Sequence, residues 1–135
     1  MTVCALAAAS GCGGRGASVH SAGPRVVHVQ LKDFTIKAPR RVRAGEVELL
    51  VHNDGPTEHE FLVASDGNGR LPLRADGLTV DEDRAEPRLA GDVEPFASGA
   101  SEVVRARLRP GRYVLFCNMS GHYLGGMRAE LVVEP

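Results

Sequence analysis

The sequence predicts an all-β domain, a Greek-key β-sandwich with one long connecting loop. Three observations point to it. Apolar and polar residues alternate with period two in several short runs, as in strands that bury one face. Gly (16 residues) and Pro (8 residues) separate these runs with turn chemistry. Val recurs within the runs while aromatics make up only 4% of the chain and Trp is absent, a composition that suits strands better than helices. At 135 residues the chain is long enough for one core and too short for two.

The elements follow in order. Val27, Val29 and Leu31 share one face of a first run, with His28 and Gln30 opposite. Phe34-Thr-Ile36 follows, and Pro39 interrupts it. Val47, Leu49 and Val51 face inward in the next run, and Asn53-Asp-Gly-Pro56 closes it with a turn. In the run from His59 to Val63, His59 is in phase with Phe61 and Val63, so it points where the core residues point, while Glu58 and Glu60 face water. Residues 65–95 break the alternation and read as a long polar connector, with room for one helical turn between Val80 and Ala85. Val104, Ala106 and Leu108 resume the pattern. Pro110-Gly111 then turns the chain into a strand on which Tyr113, Leu115 and Cys117 share a face and Phe116 lies outside. Met127, Ala129, Leu131 and Val133 complete the inward set.

We expect three parts: a signal-type segment at 1–11, a flexible tether at 12–24 and the folded domain at 25–135. The apolar run Val3–Ala9 is far shorter than the roughly 20 residues that span a bilayer. With Ala9-Ser10-Gly11-Cys12 it resembles a bacterial lipoprotein signal, although no Lys or Arg precedes it. That resemblance implies export to the cell envelope, with lipid carried on Cys12 as the only membrane attachment. Cys4 would leave with the signal, so Cys117 would be the one thiol of the folded domain and no internal disulfide would form. The 16 Lys+Arg and 17 Asp+Glu nearly cancel, which argues against nucleic acid as a partner.

The chemistry lies in Cys117-x4-His122-x4-Met127 and in His59 upstream. Two imidazoles, one thiolate and one thioether are the donors of a trigonal copper site with a weak axial sulfur. Soft sulfur ligands suit Cu(I), while imidazole also retains Cu(II), so one such ion can pass single electrons. His20, His28 and His52 fall in the tether or on outward faces and are expected to be solvated. Met119 lies out of phase with the core, which leaves Met127 as the axial candidate.

These motifs, together with Asn53-x-Gly-x-x-x-His59 and Pro110-Gly-x-Tyr113, resemble those of the cupredoxin family of blue copper proteins. The spacing between Cys117 and His122 is most similar to rusticyanin and sulfocyanin and longer than in plastocyanin. The resemblance implies one Cu(I)/Cu(II) ion held by His59, Cys117, His122 and Met127. It also implies a monomer that docks transiently with redox partners, using His122 beside Tyr123 and Leu124 as electron port, and it implies no enzymatic activity. Asn53 would bond across to the Cys117 loop, and a backbone amide of Asn118 or Met119 would donate to the Cys117 sulfur. The alternative is a copper carrier, storage or resistance protein of the envelope, but the sequence holds only three Met, Met1 included. A multicopper oxidase or nitrite reductase would need further His ligands and a second domain. A dinuclear site would need a second Cys in the loop, where Asn118, Met119, Ser120 and Gly121 stand.

Overall fold

The computed structural model describes residues 23–66 and 70–135. The signal-type segment and the tether as far as residue 22, His20 included, lie outside the described residues. The strands are β1 (Arg25–Lys32), β2 (Thr35–Lys37), β3 (Arg41–Arg43), β4 (Gly45–Asn53), β5 (His59–Ser65), β6 (Leu89–Phe96), β7 (Ser101–Leu108), β8 (Gly111–Phe116) and β9 (Arg128–Glu134). A single helical turn, α1 (Glu82–Ala85), precedes a 3-10 turn at Glu86–Arg88.

The strands form two stacked sheets, ordered β2-β1-β4-β7 and β3-β9-β8-β5-β6. The β1–β4 and β3–β9 pairs are parallel and the rest antiparallel, so the chain crosses repeatedly between sheets as in a Greek key. Period-two alternation decides which residues meet between them. Val27, Val29 and Leu31, with Val47, Leu49, Val51, Val104, Ala106 and Leu108, face Phe61, Val63, Tyr113, Leu115, Leu131 and Val133 across one core. The Tyr113 hydroxyl donates to the Arg109 carbonyl and accepts from the Arg109 amide, both at 3.1 Å, fixing the turn into β8.

Two strands depart from expectation. β3 has three residues, Arg-Val-Arg, too few to show a period. β6 lies inside the stretch read as loop; the connector therefore ends at Arg88. Its sequence, Leu-Ala-Gly-Asp-Val-Glu-Pro-Phe, carries no clean alternation because it is a sheet-edge strand whose register against β5 slips twice. Backbone pairing, which side-chain patterning does not reveal, holds it in place.

The segment between β5 and β6 also packs against the domain. Leu71, Val80 and Ala85 pack with Leu62, Ala64, Phe116 and Tyr123 into a second apolar cluster on the outer face of the five-stranded sheet. Phe116 does lie on the outer face, yet this cover buries it completely. Among the described residues no helix is long and apolar enough to cross a membrane.

Candidate metal centre

His59 is the first residue of β5, Cys117 directly follows β8, and Met127 directly precedes β9. The 118–126 loop thus joins adjacent antiparallel strands at one end of the sandwich. The Cys117 amide donates to the Met127 carbonyl (3.2 Å), and the Met127 amide donates to the His122 carbonyl (2.9 Å). Within the loop His122 donates to Met119 (2.9 Å) and Gly125 to Gly121 (2.8 Å). These bonds curl the chain so that His122 returns over Cys117.

The result is a tight donor cluster. Ligand atoms of His59, Cys117 and His122 all lie within 4.8 Å of one another. Cys117 Sγ is 3.4 Å from His122 Nδ1 and 3.9 Å from His59 Nδ1. His59 and Cys117 are fully buried, while His122 is partly exposed. Met127 is fully buried in the same core cluster as Cys117. Met119 packs only at that cluster's margin and is partly buried.

The protonation states suit metal binding. Burial pushes the His59 pKa below its ordinary value, partly offset by its bond to Asp33, so the ring is neutral at pH 7. Burial pushes the Cys117 thiol up, while the amides of Met119 and Glu60 donate to its sulfur and pull the other way. The expected donor to sulfur at Met119 is therefore present, joined by one from β5.

Several neighbours were not legible in the sequence. Asp33, in the β1–β2 turn, holds His59 Nε2 at 3.0 Å. Phe34, at φ 59°, sets its ring 5.3 Å from the His122 ring. Gly125 lets that ring in: a β-carbon there would lie 2.5 Å from Phe34 Cδ1. Asn53 does not reach toward the Cys117 loop as expected. It is fully buried, and its amide donates to the carbonyls of Thr57 (2.9 Å) and Phe96 (3.2 Å). It ties the approach to β5 to β6 instead, because the intervening turn folds back over it. Asn118 acts through its side chain, accepting from the Val80 amide (2.6 Å) and donating to the Val80 carbonyl (3.1 Å). Tyr123 turns inward, its ring edge-on to Phe116 at a centroid distance of 5.5 Å. His28 is exposed, and His52 is partly exposed against Ser101 and Asp54.

Glu60 is a further correction, since it is half-buried rather than facing water. Burial, then repulsion from Glu82, Glu94 and Asp92, raises its pKa from 4.5 to about 7. The folded state thus binds this proton more tightly than the unfolded chain does. The associated stability is present below about pH 4.5 and lost as the pH rises to about 7. Melting temperatures of the metal-free protein should fall across that window, and Glu60→Gln should flatten the fall. An unchanged slope would show that Glu60 does not titrate there.

This two-sheet sandwich, with His and Cys donors gathered at one end, is the cupredoxin fold. No protein-family model and no curated protein sequence matches the chain. Solved structures do. Auracyanin from the photosynthetic bacterium Roseiflexus castenholzii, reduced with dithionite, is 18% identical, with 82% of this chain and 97% of that one covered at a TM-score of 0.62. Auracyanin B is 24% identical, with 82% and 89% covered at a TM-score of 0.63. The azurin Az-iso2 of Methylomonas sp. strain J is 18% identical, with 82% and 98% covered at a TM-score of 0.57. At such identities the likeness establishes the fold. The His59-Cys117-His122 cluster fits a blue copper site on it.

Proposed function

We propose that this chain is a mononuclear type 1 copper protein that passes single electrons between redox partners. His59, Cys117 and His122 would hold the copper strongly, and Met127, buried in the same core cluster, would add a weaker sulfur ligand. The observation that carries this is the convergence of two imidazole nitrogens and one thiol sulfur within 4.8 Å at the end of an apolar core. Copper bound there supplies a one-electron Cu(I)/Cu(II) couple. The auracyanin of R. castenholzii is described in a dithionite-reduced form, which supports a redox role for the fold.

The protein's own groups suit that role. Burial favours the protonated Cys117 thiol, so copper binding would release that proton, and the amides of Met119 and Glu60 would receive the thiolate. Hydrogen bonds on either side of the ligands limit their movement between oxidation states. Phe34, exposed and packed against His122, offers an apolar contact for weak and transient docking, and Leu124 in the same loop as His122 is exposed as well. The protein acts as a monomeric carrier rather than an enzyme, outside the cytoplasm, held to the envelope by lipid on Cys12.

Cu(II) added to the full chain, followed by visible absorption and electron paramagnetic resonance, tests this. An intense thiolate charge-transfer band with narrow copper hyperfine splitting is expected. Free copper at 100 times its dissociation constant should add about 2.7 kcal/mol of stability. A pale, ordinary tetragonal spectrum would mean that the thiolate is unbound, and a copper storage or carrier role would lead.

A further inference from the structure

The β1–β2 turn touches both histidines of the cluster, Asp33 bonding His59 and Phe34 packing on His122. The Asp33 contact has a chemical consequence. A carboxylate oxygen accepts hydrogen bonds and has none to give. The proton of neutral His59 therefore sits on Nε2, 3.0 Å from Asp33 Oδ1, and the lone pair is left on Nδ1, the atom that faces Cys117 Sγ at 3.9 Å. The Thr57 hydroxyl donates to the same Oδ1 at 3.0 Å and holds the carboxylate in place. Space around the contact is scarce. A β-carbon on Gly55 would lie 2.9 Å from His59 Nε2 and 3.0 Å from Asp33 Oδ1.

Resting on the copper reading above, we propose that Asp33 is a positioning residue that sets the tautomer of His59 and draws the bound copper toward its oxidised state. The ring of His59 is fully enclosed, whereas the Asp33 side chain is 36% exposed. The arrangement thus places a negative charge one imidazole away from the metal while letting water solvate part of it. A carboxylate on the far N–H makes the ligating nitrogen more basic, and the more basic ligand stabilises Cu(II) more than Cu(I). A neutral acceptor in the same place would fix the tautomer without that charge.

Two variants of the copper-loaded full chain separate orientation from charge. Asp33→Asn keeps an oxygen for both His59 and Thr57, so the blue band should persist while the reduction potential rises above wild type. Asp33→Ala removes the acceptor, and Cu(II) affinity should drop about 10- to 100-fold. Nitrogen-15 spectra of the metal-free protein give a readout that needs no copper: His59 should be Nε2-protonated in wild type and a tautomer mixture in Asp33→Ala. Chemical denaturation of both variants checks that they fold. An Asp33→Asn potential equal to wild type, or an Asp33→Ala spectrum with the tautomer intact, overturns the inference. A wild-type protein that gives no thiolate band with copper overturns the copper reading and this inference with it. A blue wild type with an unshifted Asp33→Asn overturns this inference alone.

Discussion

Replacing Cys117 by Ser is expected to abolish the thiolate-to-copper band completely while leaving the fold intact. The band requires a sulfur donor, and Cys117 is the one cysteine among the described residues. Stability should change little, because the site is already built to receive an anion. The amides of Met119 and Glu60 that donate to the sulfur would donate to the serine oxygen instead. The exchanged hydroxyl is therefore satisfied, and its cost should stay near about 1 kcal/mol. Copper titration followed by absorption, with circular dichroism as the fold check, decides the matter. Strong colour in Cys117→Ser would mean that another group supplies the charge transfer and that the ligand assignment is wrong.

Asn118→Ala is expected to produce the largest loss of stability among the substitutions considered. Asn118 follows Cys117 directly, and its side chain closes a two-way bond with the backbone of Val80 while also donating to Glu82 Oε1 at 2.6 Å. The alanine variant leaves the amide and carbonyl of Val80, a fully buried residue, without these partners, at about 2 kcal/mol or more. The 71–88 segment would loosen from the sheet, and with it the cover over Phe116 and Tyr123. Urea unfolding of the metal-free protein measures the first effect. Limited proteolysis near Leu78, whose carbonyl accepts from Gly121 of the 118–126 loop at 3.2 Å, reports the second. Stability within about 0.5 kcal/mol of wild type, the range of ordinary surface substitutions, would show that this segment does not support the 118–126 loop.

The acidic segment that looks like an inert connector is thus part of the site's support. Its apolar residues are sparse and irregularly spaced: Leu71, Val80 and Ala85 each fill one gap above β5 and β8. No period marks such a segment, because it lies on a sheet as turns and one short helical turn instead of pairing within it. β6 stayed hidden for a related reason. As an edge strand it exposes much of both faces, so its residues need not alternate. Asp33 illustrates a third kind of blindness. It sits 26 residues before His59, and only the β1–β2 turn folding over the end of the sandwich brings the pair together.

Local rules, by contrast, were enough for the direction of the strand-borne ligand candidates. The two-residue period turned His59, Cys117 and Met127 inward with Phe61, Leu115 and Leu131, and all six are fully buried. Strand alternation is a property of each backbone segment, so one sequence suffices to decide which way such side chains point. Spacing also placed His122 in the loop between two strands. The tertiary structure alone decided how near His59 comes to that loop, which nitrogen of His59 faces Asp33, and what covers Phe116. Those outcomes depend on contacts between segments far apart in the chain, set by sheet order and by packing across the sandwich. No period along a single strand encodes them.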